Sequence, residues 1–95
     1  TTVAVIIPFF QARPGILARA LRSVLDQDRV PGQRLKIVVV DDASPSPAGA
    51  DLAQLPAADA ARVEVVVQAN GGPAAARNRG LDAVAGQADF PAFLD

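Results

Sequence analysis

Lys36-Ile37-Val38-Val39-Val40-Asp41-Asp42-Ala43-Ser44-Pro45 is the stretch on which the reading of this chain turns. An unbroken apolar run, rich in β-branched valine, meets two adjacent carboxylates and then a turn. A run without alternation predicts a strand buried on both faces, as in a parallel sheet. In open α/β sheets, ligands sit just beyond the carboxyl ends of the strands. Asp41 and Asp42 fall there, so a ligand site is expected at this turn. The competing reading of the pair is an ordinary helix N-cap or Asx turn.

The rest of the chain supplies matching elements. Val3–Ile7 predicts a first buried strand that Pro8 ends, with Phe9, Phe10 and Gln11 at its carboxyl end. Residues 12–28 predict a helix, with Pro14 in its first turn. Ile16, Leu17, Ala20, Leu21, Val24 and Leu25 form its apolar stripe, and Arg19, Arg22 and Asp26 lie opposite as a solvated face. Val30-Pro31-Gly32 reads as a turn. Leu35–Val40 is the second strand, and Asp41–Pro47 a loop. Ala48–Leu55 predicts a short, weakly anchored helix. Arg62–Val67 predicts a third strand, and Glu64 within it points to a sheet edge. Asn70-Gly71-Gly72 is a turn, after which Pro73 opens a helix running to Val84. Gly80 weakens that helix, and Gly86 caps it. Phe90–Leu94 predicts a fourth strand. Strands alternating with helices mean an α/β fold with a mainly parallel sheet and right-handed crossovers.

Composition narrows the chemistry. The chain has 95 residues, enough for one domain or part of one, and a net charge of −1. That balance gives no basic footprint for nucleic acid. No apolar run reaches the ~18 residues of a membrane span. The first residues enter a strand directly, so no basic-then-apolar leader is expected there. Without an initiating methionine, the chain reads as cut from a longer product. It contains no cysteine and no histidine. Acid–base or metal chemistry therefore falls to carboxylates, and oxygen-only ligation favours Mg²⁺ or Mn²⁺ over zinc.

Several nucleotide-binding patterns are absent or displaced. The Gly-x-Gly-x-x-Gly of dinucleotide folds has no counterpart after the first strand, where Pro8-Phe9-Phe10-Gln11-Ala12-Arg13 stands. The single lysine, Lys36, lies on a strand, which removes a P-loop. A phospho-acceptor receiver domain places its acidic pair after the first strand and needs a later lysine. Here the pair follows the second strand, and that reading stays as the weaker alternative.

Four pieces carry a resemblance that spans essentially the whole chain: Val5-Ile6-Ile7-Pro8-Phe9-Phe10-Gln11; Val40-Asp41-Asp42-Ala43-Ser44; Asn70-Gly71-Gly72-Pro73-Ala74-Ala75-Ala76-Arg77-Asn78-Arg79-Gly80; and Ala92-Phe93-Leu94-Asp95. Each is weak alone, and together, in this order, they are specific. The chain resembles the N-terminal, nucleotide-binding half of the family 2 inverting glycosyltransferases with the GT-A fold. Three departures stand out. Phe10 and Gln11 occupy places where the family usually has Tyr and Asn. Ala43 replaces a usual glycine, which restricts the loop if that position needs positive φ. About two extra residues, Pro91 included, precede the terminal Phe-Leu-Asp.

The resemblance implies a three-layer, Rossmann-like GT-A half-domain over residues 1–95, with about four strands and helices on both faces, reaching the start of an Asp-x-Asp motif. It implies a nucleotide-sugar site at Pro8, Phe9, Phe10, Asp41, Asp42, Ser44, Arg77 and Asn78. Phe10 would stack on the base, or else join Phe9 in the core. Asp42 would accept a hydrogen bond from a base N–H, as uracil offers, and Asp41 would fix the loop. Ser44 would cap the next segment or touch the nucleotide. Arg77 would bind diphosphate with its planar fork, or pair with the acidic turn, and Asn78 would lie near it. Arg79 is expected on the outer face. Asp95 would be the first ligand of a Mg²⁺ or Mn²⁺ site. The implied partners are a nucleotide-sugar donor, a UDP-sugar by the base argument, and a saccharide, lipid or protein acceptor in the complete enzyme. No catalytic residue is assigned within the chain, which is expected to be inactive alone. A non-catalytic nucleotide-binding fragment is the other reading. The expected location is cytoplasmic, or peripheral at the inner face of the cell membrane in the full-length protein. A sheet stopping here should leave an uncovered apolar edge.

Overall fold

A computed structural model describes residues 2–10, 15–26, 32, 34–45 and 48–94. Gln11, Pro14, the Val30-Pro31 turn and Asp95 lie outside the described residues. The chain runs β1 (Thr2–Phe9), α1 (Ile16–Asp26), β2 (Arg34–Asp41), α2 (Ala48–Leu52), α3 (Ala57–Ala60), β3 (Val63–Val67), α4 (Gly72–Val84) and β4 (Phe90–Phe93). Its four strands form one parallel sheet in the order β3-β2-β1-β4. The pairing reverses direction at β1, which is a topological switch point. The order differs from the 2-1-3-4-5 of receiver-type sheets, which removes the weaker alternative.

Strand alternation divides the core into two. Ile7, Phe9, Ile37 and Val39 pack with Leu17, Leu21 and Val24 of α1, and with Ala48 and Leu55 beside α2. Ala4, Ile6, Val38 and Val40 pack with Ala76 and Val84 of α4 on the other face. The two central strands are thus covered on both sides, which is why their sequences show no alternation. β3 is an edge strand, and its Glu64 is exposed.

Local departures from the sequence reading have physical causes. β1 does not end at Pro8 but continues through Phe9, paired with Asp41. The Leu94 N–H donates to the Ile6 carbonyl. By alternation the Pro8 nitrogen points the same way, beyond the end of β4, so its missing N–H removes no ladder bond. Pro91 is tolerated similarly: Leu94 faces β1, so Pro91 turns its nitrogen to the open edge. Ile16 is not part of the buried stripe of α1; it is 70% exposed, and Ala18 is buried instead. α2 packs against that end of α1, where its buried Asp51 accepts hydrogen bonds from the Gly15 and Ala18 N–H groups. Ala48–Leu55 is helical only to Leu52, and the alanine-rich stretch beyond it folds into the extra short helix α3. Gly86, with φ +74°, follows the end of α4 as expected of a helix-terminating glycine.

Gly80 is not merely a weak point of α4. A Cβ there would lie 2.3 Å from Ile6 Cγ2, so the missing side chain is what lets α4 settle on β1. At the other edge, Phe90 and Phe93 of β4 are exposed, giving the expected uncovered apolar border.

Candidate functional site

A cleft of about 510 Å³ opens beyond the carboxyl ends of β1 and β2, against the start of α4. Its lining comes from Pro8, Phe9 and Phe10 on β1 and just after it, Asp42 after β2, and Asn70, Gly72, Pro73, Ala76 and Arg77 around the α4 N-terminus. The volume lies within the usual range for small-molecule sites, about 300–1,000 Å³.

Alternation assigns the two Phe–Phe side chains. Phe9 follows Ile7 into the α1 face and is 7% exposed, whereas Phe10 is 58% exposed at the cleft. The adjacent carboxylates divide in the same way. Asp41 continues the Ile37–Val39 face. Its Oδ1 accepts from the Ser44 N–H at 2.9 Å and its Oδ2 from the Ala48 N–H at 3.1 Å. It therefore ties the loop and the first residue of α2 to the end of β2. Ser44 lies in that loop, outside the cleft lining.

Asp42 continues the Val38–Val40 face, toward α4. Its Oδ1 accepts from the Gly71 N–H at 2.7 Å and from Gln68 Nε2 at 3.0 Å; its Oδ2 accepts from the Gly72 N–H at 3.0 Å. The Gln68 amide and then the Gly71 N–H hold this carboxyl below its ordinary range; partial burial opposes them, and the Gly72 N–H adds to the lowering. Asp42 is thus an anion aimed into the cleft and anchored to the turn that opens α4. The residue between the acidic pair and Ser44, Ala43, has φ +58°. This is the positive φ that a glycine would accept freely, held here in an alanine.

Arg77 lines the opposite wall and is partly buried, with Gly80 one turn further along the same helix. Asn78 and Arg79 are exposed and outside the lining. Of the residues expected from sequence, the cleft therefore gathers Pro8, Phe9, Phe10, Asp42 and Arg77, while Asp41, Ser44 and Asn78 stand outside it. Asn70, Gly72, Pro73 and Ala76 complete the lining. They sit in the Asn-Gly-Gly-Pro piece, where the turn pattern marked the place but not the exposure. Gln68 carried no sequence signal beyond its place at the end of β3.

Among the described residues, no group of three acidic side chains converges as a metal site. The one expected metal ligand, Asp95, is outside them.

The fold, the cleft and the four sequence pieces converge with a direct comparison. The family model described as glycosyl transferase family 2 matches residues 4–95. The chain belongs to the family 2 glycosyltransferases. It is 46% identical over 93 residues to the succinoglycan biosynthesis protein ExoW of Rhizobium meliloti (strain 1021), a match covering 98% of this chain and 28% of that protein. The chain thus spans less than a third of that relative's length. Its parallel sheet with helices on both faces is consistent with the Rossmann-like, GT-A half-domain of the family.

Proposed function

We propose that residues 1–95 form the donor-nucleotide part of a glycosyltransferase, and that the cleft takes the nucleoside diphosphate of a sugar donor. The observation that carries this reading is the convergence of Phe10, Asp42 and Arg77 on one cleft at the strand ends. An exposed aromatic ring offers a stacking surface for a base. An anionic carboxylate is an acceptor only, so it suits a base that presents a ring N–H, as uracil does. A guanidinium on the facing helix suits a diphosphate. In the complete enzyme, the sugar would pass to an acceptor hydroxyl with inversion at its anomeric carbon. A carboxylate base from the remaining polypeptide would take the proton.

Mg²⁺ or Mn²⁺ held at Asp95 belongs to the same proposal; when bound, such a cation would neutralise the departing diphosphate. The name of the similar protein refers to succinoglycan biosynthesis, so we infer a saccharide acceptor and a role in polysaccharide assembly. A cytoplasmic or inner-membrane-peripheral location goes with that role. No helix among the described residues is long and apolar enough to cross a membrane.

Calorimetric titration with UDP, with and without Mn²⁺, tests the reading. Saturable binding that Asp42→Asn weakens at least tenfold is expected, since a hydrogen bond to a charged group contributes about 1.5–3 kcal/mol. A chain that folds yet does not bind UDP under either condition sinks it. Sugar transfer by these residues alone would contradict the assignment of the base to the remainder.

A further inference from the structure

We propose that Gln68 is a positioning residue for the donor nucleotide: its side-chain amide occupies one oxygen of Asp42 and leaves the other as the acceptor turned to the base. The inference rests on the nucleotide reading of the cleft.

A carboxylate has about four lone-pair sites, two on each oxygen. Asp42 Oδ1 receives two donors, Gln68 Nε2 and the Gly71 N–H. Oδ2 receives one, the Gly72 N–H. The acceptor capacity left for a ligand is therefore on Oδ2. Two of the three donors are backbone groups of the turn, common to any sequence that folds this way. Gln68 is the side-chain donor, and hence the one that substitution can remove.

Gln68 is itself held in place. Its backbone N–H donates to the Asp41 carbonyl at 2.9 Å, extending the β2–β3 ladder past Val67. Its amide then crosses to Asp42, the residue just after β2. It stands outside the cleft lining, so it acts on a ligand only through Asp42. The surrounding charges are few. Asp41 sits on the opposite sheet face, and Arg77 on α4 lines the same cleft. The ends of β1 and β3, Pro8–Phe10 and Val65–Val67, present no titratable group. Gln68 is the largest cause of the lowered Asp42 pKa, so its loss frees a lone pair on Oδ1 and weakens the preference for the anion.

The test uses Gln68→Met, which keeps chain length without the donor, and Gln68→Glu, which places a second carboxylate there. Carbon-detected NMR follows the Asp42 carboxyl titration, calorimetry follows UDP affinity against pH, and circular dichroism checks the fold. In the wild type, the Asp42 midpoint lies below the ordinary carboxylate range, so the anion persists as pH falls. In Gln68→Met the midpoint rises, and UDP affinity begins to decline at a higher pH. Gln68→Glu raises it further by like-charge repulsion. At neutral pH, Gln68→Met weakens UDP binding about 2- to 10-fold, the range for one net hydrogen bond. In an Asp42→Asn background it adds no further loss. An unmoved Asp42 midpoint, or an equal UDP loss with and without the Asp42 carboxylate, overturns the proposal. If Gln68→Met fails to fold, the Gln68→Glu titration decides. A wild-type chain that does not bind UDP sinks the nucleotide reading and this role together. The Asp42 midpoint then shows whether the Gln68 coupling exists as a structural contact only.

Discussion

Gly80→Ala probes the contact that sets α4, and with it Ala76 and Arg77, on the sheet. The new Cβ would stand 2.3 Å from Ile6 Cγ2, and 3.4 Å from both Ile6 Cβ and Cγ1. Ordinary carbon contacts lie at about 3.5–4.0 Å, so the overlap is more than 1 Å. Ile6 has no exposed surface and lies on a strand paired on both sides with β2 and β4. Its Cγ2 is attached at the β-branch, where χ1 is stiff, so it cannot swing away freely in a closed core. The remaining response is for α4 to back away. A gap of 0.5–1 Å forfeits about a quarter to a half of each contact along Ala76 and Val84. Overpacking of this kind costs about 1–3 kcal/mol, occasionally more. The helix preference of alanine over glycine returns about 1 kcal/mol.

With an overlap of more than 1 Å the upper end of that cost applies, and the net expectation is a loss of about 2 kcal/mol. That is a large fraction of the roughly 5–14 kcal/mol that a domain of this length commands. The chain lacks tryptophan and tyrosine, so far-UV circular dichroism in urea is the suitable readout. With a slope near ~1.5 kcal/mol per M, the midpoint should fall by about 1 M or more. Partner substitutions sharpen the test. Ile6→Val keeps Cγ2 and should not relieve Gly80→Ala. Ile6→Ala removes Cγ2, costs stability itself, and should make the glycine change close to neutral. A Gly80→Ala chain as stable as the wild type, or more so, would refute the seating of α4 on Ile6.

Three further outcomes follow from single contacts. Ala43→Gly should raise the urea midpoint by the equivalent of about 0.5–1 kcal/mol. It relieves a left-handed alanine worth about 1–2 kcal/mol, against the extra backbone entropy of glycine. Asp51→Ala should lower stability by about 2–4 kcal/mol in thermal unfolding, because it strands the Gly15 and Ala18 N–H groups at the start of α1. Asp51→Asn, which keeps one acceptor, should lose less. Phe10→Ala should leave the unfolding midpoint within about 0.5 kcal/mol of wild type, since the ring is exposed. It should weaken UDP binding about tenfold or more, as expected for removal of a base-stacking ring; equal UDP affinity would place the base elsewhere.

The architecture was legible because the physics that builds it is local. Ile37–Val40 and Val3–Ile7 are unbroken because both of their faces are covered, and the stripe of α1 follows from helical period alone. What escaped were contacts between distant parts of the chain. Asp51 lies in an alanine-rich stretch with no pattern to mark it, and its partners are Gly15 and Ala18, more than thirty residues away. Gln68 meets Asp42 only because β3 pairs beside β2. Gly80 did leave a trace: a glycine within an otherwise helix-favouring run signals close approach of a backbone, yet nothing local identifies Ile6 as what approaches.

The two doublets show where sequence reasoning stops and topology takes over. Strand alternation guarantees that Phe9 and Phe10 part ways, and that Asp41 and Asp42 do too. It does not say which member of each pair meets the ligand. That choice follows from the switch point. The chain from β1 to β3 returns over one face, with α1 and α2 upon it, whereas α4 crosses to the other before β4 joins the far side of β1. The odd-numbered members, Phe9 and Asp41, fall on the α1–α2 face and become core and loop anchor. The even-numbered members, Phe10 and Asp42, fall toward the N-terminus of α4, where the Gly71–Gly72 turn lends Asp42 its backbone donors. One residue of register slip in β2 would exchange Asp41 and Asp42 and place the loop anchor in the cleft. The buried valines on either side of Val39 therefore do more than fill the core: they hold the register that aims Asp42.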